Sequence, residues 1–215
     1  MVGCSAAHGV RPLGAGQTAM TASLGGPIVR LPGQTTPAPM STIGVRHGRS
    51  DRSDLHGAVN LTALGLVGVL MVDLGASYLL VDQRGSIPAV VVDSHLLLGV
   101  GGTGEGLAAR AAAEAELLCS WSIGKDGHLA YAGLDAFLQP PDAADQLSAA
   151  TPAVILGPLL GMRPVLGERL TVPVQVTWLN PWMDTTNLTL EYPSPGHRGA
   201  LQVELGVGVR LGGAR

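Results

Sequence analysis

Several residue types are scarce in this chain of 215 residues. Charged residues make up 13 %, aromatic residues make up 3 %, and the only cysteines are Cys4 and Cys119. So few glutamates and lysines exclude a coiled coil, and two cysteines exclude a disulfide scaffold. The shortage of Lys and Arg also argues against a strongly basic nucleic-acid-binding protein. An apolar content of 46 % nevertheless allows a hydrophobic core, which excludes a wholly disordered chain.

Glycine and proline, in contrast, are abundant, with 31 and 15 residues. The first 50 residues hold four arginines, no acidic residue and no persistent hydrophobic period. We therefore interpret residues 1–55 as an extended, Gly/Pro-rich N-terminal arm and linker, and residues 56–215 as the folded body. Because the arm is weakly basic and the body is acidic, we expect the arm to lie across a neighbouring copy of the chain.

Short apolar and alternating segments predict about eight strands in the body. Their spacing favours an all-β antiparallel sandwich of the jelly-roll type. The pair Asp126-Gly127 predicts a hairpin turn at Gly124–Gly127, and residues 74–76 predict another tight turn. Helix is expected only at Leu107–Leu118, on propensity, and for one turn at residues 143–149. The predicted strands are residues 66–73, 77–82, 88–98, 114–123, 128–138, 170–179, 186–192 and 200–211.

The uncharged segment of residues 57–72 is shorter than the roughly 20 residues that a membrane-spanning helix requires. It also contains Asn60 and Thr62, which favour a buried pair of strands over a span. We therefore expect no membrane span.

One glycine-rich segment, Gly99-Val100-Gly101-Gly102-Thr103-Gly104, matches the pattern G-x-G-x-x-G. Such glycines allow backbone N–H groups to approach a phosphate at a helix N-terminus. The Gly-Gly-Thr-Gly core resembles the phosphate loop of tubulin-like nucleotide-binding proteins, and the resemblance implies nucleotide binding. The chain that follows predicts antiparallel strands and no second βα unit, which favours a connecting loop at Gly99–Gly104.

Asp93 and His95 are two residues apart in a predicted strand, so they share one face. We assign that face to solvent or to an interface, and the pair to a structural role. The histidines show no H-x-x-x-H spacing, and no C-x-x-C motif accompanies them. No catalytic, cofactor-binding or metal-binding residue is predicted, no cofactor is expected, and the chain is predicted not to be an enzyme.

Three of the rare aromatic residues, Trp178, Trp182 and Tyr192, fall close together in the sequence. Exposed aromatic rings on a sandwich can stack on sugars, which makes a carbohydrate-binding or adhesion module one possible function. A small nucleotide-binding enzyme that uses Gly99–Gly104 is the third possibility.

The favoured function is a structural subunit of a large symmetric assembly, a viral or bacteriophage capsid protein. The inference is made by analogy of fold, because jelly rolls tile shells and extended arms connect neighbours. Its expected partners are copies of itself and other assembly subunits, with nucleic-acid contact only through the arm. Its expected localisation is the virion.

Overall fold

The protein is a closed antiparallel β-barrel in which ten strands form one ring. The structure is a computed structural model, and it describes residues 9–31, 34–103, 106–138, 154–186 and 191–212. The ten barrel strands are β1 (Thr18–Leu31), β3 (Met40–Ser50), β4 (Ser53–Asn60), β5 (Val69–Val81), β6 (Ala89–Thr103), β7 (Gly106–Ile123), β8 (His128–Leu138), β9 (Val154–Arg163), β12 (Val174–Asp184) and β13 (Arg198–Leu211).

Each barrel strand pairs with the barrel strands that precede and follow it in the chain. The ring closes where β1 pairs antiparallel with β13, from Thr18↔Leu211 to Pro27↔Gln202. Three short strands extend the sheet at its rims: β2 (Gln34–Pro37), β10 (Val165–Leu166) and β11 (Leu170–Thr171). Closure leaves no open sheet edge around the ring, so the barrel strands satisfy their backbone N–H and C=O groups with one another.

The barrel has two distinct ends. At the proximal end, where β1 begins and β13 finishes, the connections are residues 51–52, 82–88, 124–127 and 164–173. At the distal end lie the end of β8, the start of β9 and the helix α1 (Leu61–Val67). The side chain of Asn60 caps this helix by accepting a hydrogen bond from the N–H of Ala63, and Gly68 ends it in the left-handed conformation.

Side chains that suit the interior alternate along the strands with side chains that suit the exterior, which favours strand formation. On β6, buried residues alternate with half-buried or exposed ones from Ala89 to Val100. The buried positions include Val91, Asp93, His95 and Leu97, while Leu96 is 46 % exposed. This period of two is the spacing at which a strand directs successive side chains to opposite faces of a sheet.

The barrel interior contains two separate apolar clusters. The proximal cluster consists of Val10, Val91, Leu118, Leu129, Tyr131 and Leu159. The distal cluster consists of Leu97, Phe137, Ile155 and Leu179. On β6 the proximal Val91 and the distal Leu97 are separated by Asp93 and His95, so a polar layer lies between the two clusters.

Residues 9–17, which precede β1 and which we call the entering segment, enter the barrel at its proximal end. Val10 is 1 % exposed and packs in the proximal cluster. The Arg11 guanidinium donates hydrogen bonds to Ser120 and to Ser122 on β7, and the Leu13 N–H donates to Asp54. Eight strands already enclose a space that side chains can fill, so a ten-stranded barrel has room for this additional segment.

These observations correct the predicted fold class. The jelly-roll sandwich is wrong, because the sheet closes on itself and does not form two facing layers. The extended N-terminal arm is also wrong, because β1 and β3 are barrel strands and β1 closes the ring. The predicted division at residue 55 falls inside β4.

Several local predictions have mixed outcomes. The helix at Leu107–Leu118 is wrong: this segment lies in β7, where pairing to both β6 and β8 outweighs the helix propensity of its alanines. The turn at residues 74–76 is also wrong, since β5 runs through it. The hairpin turn at Gly124–Gly127 is confirmed, and the predicted helical turn at 143–149 lies outside the described residues.

Candidate functional site

A layer of charged and polar side chains fills the barrel between the two apolar clusters. We call it the lumenal belt. Strand register places its members side by side on neighbouring strands. Asp93 on β6, for example, is in register with Ser77 on β5 and with Glu116 on β7. All its members are buried: Arg46, Asp54, His56, Asp73, Ser77, Asp93, His95, Glu114, Glu116 and Asp135.

One part of the belt is an ion pair between β3 and β4. The Arg46 guanidinium donates to the Asp54 carboxylate at 2.5 Å, and the side chains of Arg46 and Asp54 are 7 % and 0 % exposed. Asp54 also accepts hydrogen bonds from the Ser77 hydroxyl and from the Leu13 N–H. A buried carboxylate with this many donors is well compensated, which fixes β3, β4, β5 and the entering segment relative to one another.

The second part is a pair of histidines with two aspartates. His56 Nε2 lies 3.1 Å from His95 Nδ1, and the same His95 Nδ1 lies 3.0 Å from Asp73 Oδ1. On the other side of the ring, His95 Nε2 lies 3.5 Å from Asp93 Oδ2. The Asp93 carboxylate in turn accepts a hydrogen bond from the N–H of Gly9 in the entering segment. These residues come from three adjacent strands, β4, β5 and β6.

The third part is acidic. Carboxylate oxygens of Glu114, Glu116 and Asp135 lie within 4.8 Å of one another. His56, Asp73 and His95 also bring one ligand atom each within 4.8 Å of the others. Among the described residues, these two groups bring three potential ligand atoms close enough together to bind one metal ion.

Little empty space remains beside the belt. A cavity of about 60 Å³ lies between Arg46, Tyr131, Arg163, Glu204 and Arg210. This volume suits a few water molecules and not a drug-sized ligand. Around this cavity, the side chains of the two apolar clusters and of the lumenal belt occupy the lumen.

The belt includes residues that the sequence interpretation had assigned elsewhere. Asp93 and His95 do share one face, but it is the interior face, so the assignment to solvent or an interface is wrong. His56, Asp73 and Glu116 were missed altogether. The available signal was the spacing of two between charged residues in otherwise apolar strands, as in Asp54-Leu55-His56 and Glu114-Ala115-Glu116.

The glycine-rich segment does not form a phosphate loop. Residues 99–103 belong to β6, where Gly99 pairs with Arg110 and Gly101 with Ala108. The next described element is β7 and not a helix, so no helix N-terminus follows this segment within the described residues. Gly104 lies outside the described residues.

The three aromatic residues proposed for sugar binding lie at the distal end. Trp178 and Trp182 are on β12, where Trp182 is 57 % exposed and the Trp178 indole donates to the carbonyl oxygen of Arg198. Tyr192 lies in the connection to β13, where partial burial raises the pKa of its hydroxyl. Trp182 and Trp178 are thus part of the outer barrel surface.

The outer surface of the barrel is apolar. β5, β6, β8, β9 and β13 direct leucine, valine, alanine and methionine outward along most of their length. Exposed examples near the strand centres are Leu74, Leu96, Leu134, Leu160 and Leu205. A water-soluble protein usually directs its charged side chains outward, whereas here the exterior of these strands is apolar and the lumenal belt inside is charged.

No helix among the described residues is long and apolar enough to cross a bilayer.

Comparison with known proteins gives similarity at the level of structure alone. No protein-family model matches the chain, and no curated protein matches it. The translocator domain of the autotransporter NalP from Neisseria meningitidis is similar over 94 % of this chain and 91 % of that chain, at 11 % identity and a TM-score of 0.48. The NanC porin is similar over 91 % and 100 %, at 8 % identity and a TM-score of 0.47. The outer membrane protein OprG from Pseudomonas aeruginosa is similar over 93 % and 98 %, at 11 % identity and a TM-score of 0.33.

With identities this low and TM-scores below 0.5, we draw no functional conclusion from these similarities. The predictions of a capsid subunit, a virion localisation, assembly subunits as partners and a chain without a membrane span are nevertheless wrong. The first three depended on a jelly roll, whereas the fold is a closed barrel. The last considered spanning helices alone, whereas a closed barrel with an apolar exterior can cross a membrane with strands.

Proposed function

We propose that the chain is an integral membrane β-barrel of the outer-membrane type, embedded through its ten-strand ring. The observation that carries this proposal is the reversed polarity, with leucines such as Leu96 and Leu205 on the exterior and carboxylates such as Asp93 and Glu116 in the interior. In water, such an exterior would expose far more contiguous apolar area than the few hundred Å² usual for a soluble monomer. In a bilayer the same surface contacts hydrocarbon.

Backbone pairing and strand length support the same conclusion. Only helices and closed barrels satisfy their backbone groups without water, and this ring is closed. All barrel strands except β4 contain 10 or more residues. A tilted strand needs roughly 9–11 residues to cross the hydrocarbon core.

Aromatic residues lie near both ends of the outer surface. Tyr78 on β5 and Trp121 on β7 are close to the proximal end, whereas Trp178 and Trp182 on β12 are close to the distal end. Tyrosine and tryptophan favour the membrane–water interfaces, and barrels of this type carry an aromatic girdle at each one. The two groups therefore support two interfaces with an apolar band between them.

The connections support an orientation. The two longest sequence intervals between barrel strands, from β8 to β9 and from β12 to β13, join strand ends at the distal end, while the proximal turns include residues 51–52 and 124–127. Barrels of this type have short periplasmic turns and longer extracellular loops. We therefore propose that the distal end faces the exterior and the proximal end faces the periplasm.

The filled lumen supports a barrel that is closed to large solutes. The proximal cluster, the lumenal belt and the distal cluster occupy successive levels, and the entering segment occupies the proximal end. In planar bilayers we expect no large steady conductance from the full chain. A stable, wide-pore conductance would contradict the closed lumen while leaving membrane insertion intact. That the chain is not an enzyme stays a prediction.

Folding into vesicles tests the proposal. Full-length protein unfolded in urea is diluted into phospholipid vesicles, and in parallel into buffer alone. We expect strand-rich circular dichroism, flotation with the vesicles and a folded band that shifts on boiling, whereas the sample in buffer aggregates. A monodisperse, folded protein in buffer that does not float with vesicles would overturn the proposal.

A further inference from the structure

Three potential metal-ligand atoms converge at one point in the lumenal belt. His56 Nε2, His95 Nδ1 and an Asp73 carboxylate oxygen all lie within 4.8 Å of one another. His95 Nδ1 lies 3.1 Å from His56 Nε2 and 3.0 Å from Asp73 Oδ1. Two ligand atoms at normal zinc distances with a tetrahedral angle between them are about 3.3 Å apart. Small movements of the rings would therefore produce a zinc geometry.

Hydrogen bonding alone satisfies this arrangement poorly. If His95 Nδ1 carries a proton and donates it to Asp73, it has no lone pair to accept a bond from His56 Nε2. If it instead accepts from His56, its lone pair faces the lone pairs of the carboxylate. A single cation at the convergence point would accept lone pairs from all three atoms.

The surroundings of His95 match those of a metal-bound imidazole. Its other nitrogen, Nε2, faces the Asp93 carboxylate at 3.5 Å. Metal-ligating histidines almost always donate this second N–H to a carboxylate, a carbonyl or water, which fixes the ring and its tautomer. Asp93 is itself held by the Gly9 N–H.

The position of the His56 ring depends on a glycine. In β5, Gly75 is the residue in register with both His56 and His95. A Cβ at Gly75 would collide with His56 Nε2. The missing side chain thus leaves the space in which the two rings approach each other.

The charge of the belt also favours a cation. Six of its side chains are carboxylates, whereas Arg46 is its one guanidinium. Buried carboxylates are costly unless positive charge and donors compensate them. A divalent ion between Asp73 and the histidines would supply positive charge at the centre of this layer.

We propose that His56, His95 and Asp73 bind one divalent transition-metal ion of the zinc class inside the barrel. Two imidazoles and one carboxylate suit Zn²⁺, Cu²⁺ or Ni²⁺, whereas Ca²⁺ and Mg²⁺ prefer oxygen ligands. Asp93 is a positioning residue that orients His95. The proposal concerns the lumen and does not depend on the lipid environment of the outer surface.

The test is metal retention after folding. The proximal and distal clusters separate the belt from both ends of the barrel. Zn²⁺ is therefore added while the full chain folds in detergent micelles. After desalting, the bound metal is counted. We expect one Zn²⁺ per chain, loss of binding in His56→Gln, His95→Gln and Asp73→Asn, and affinity about 10–100-fold weaker in Asp93→Asn.

Two histidines outside the belt provide matched controls. His47→Gln and His197→Gln remove an imidazole from exposed positions and should retain one Zn²⁺. No retained zinc in the wild type, undiminished zinc in the His56 and His95 variants, or loss in either control would overturn the proposal.

A second measurement uses the wild-type chain, so its result does not depend on whether the belt variants fold. Electron paramagnetic resonance of the wild-type chain folded with Cu²⁺ counts the coordinating nitrogens through their hyperfine coupling. Two imidazole nitrogens are expected, and the same spectrum is expected from the His47→Gln and His197→Gln controls. One nitrogen, or none, would overturn the assignment.

Discussion

The two faces of β6 show how one strand serves two environments. Outward, the strand presents Val90, Val92, Leu96 and Leu98, interrupted by Ser94. Inward, between Val91 and Leu97, it presents Asp93 and His95. The outer face is suited to hydrocarbon, where every backbone group must be satisfied within the sheet. The inner face is suited to a polar network, whose members hold strands together across the lumen.

The comparison teaches that a polar interior requires no water-filled pore. The inward carboxylates and rings contact one another and the entering segment, and apolar clusters lie above and below them. Stability therefore depends on complementary charges inside and on uninterrupted apolar side chains outside. An arginine should therefore stabilise the folded protein on the inner face and destabilise it on the outer face.

The largest effect is expected from removing an arginine inside. Arg46→Met leaves the buried Asp54 carboxylate without its cation, and breaking a buried pair in this way costs about 3–5 kcal/mol. Urea unfolding in vesicles measures this loss. Arg46→Lys, which keeps the charge but loses the planar guanidinium, should lose less. Equal stability of Arg46→Met and the wild type would mean that the pair does not hold the interior together.

The next effect is expected from adding an arginine outside. Leu96→Arg places a charge on the lipid-facing surface near the middle of β6 and should cost about 2–4 kcal/mol. Ile123→Arg is the matched control, because Ile123 is similarly exposed but lies at the proximal end of β7, where the cost should be about 0–1 kcal/mol. Vesicle-based urea unfolding compares the two. Equal costs at both depths would argue against a bilayer around the barrel.

A smaller effect is expected in a turn that belongs to neither face. Gly127 has a φ of 78° in the turn between β7 and β8. Valine there should destabilise the folded protein by about 1–2 kcal/mol, whereas Asn should cost less because it tolerates the left-handed region. Thermal or urea unfolding of both variants gives this backbone cost alone. If Gly127→Asn is as unstable as Gly127→Val, backbone conformation is not the cause.

The sequence predicts the strands better than it predicts their closure. Residues 88–98 and 128–138 alternate strongly enough to identify strands β6 and β8, and Asp126-Gly127 identifies the turn before β8. β1 was missed because its pairing with β13 joins the two ends of the chain, which no local pattern reports. Gly25, Gly26 and Pro27 within β1 made that segment resemble an unstructured arm.

The lumenal belt was missed for a different reason. A period of two shows that two faces differ, but it does not show which face is buried. Assigning the apolar face to the interior, as in a soluble sandwich, placed Asp93 and His95 outside. The contacts of His95 with His56 and with Asp73 depend on strand register and could not be read from the sequence.

The position of the tryptophans relative to the bilayer tests the central proposal most directly. Trp121 lies near the proximal end, and Trp178 and Trp182 lie near the distal end, so their fluorescence reports both proposed interfaces. The full chain is folded into vesicles whose acyl chains carry bromine either near the headgroups or near the bilayer centre. A membrane-embedded barrel predicts quenching by both lipids, with stronger quenching by the shallow bromines. Fluorescence unchanged by either brominated lipid would contradict it.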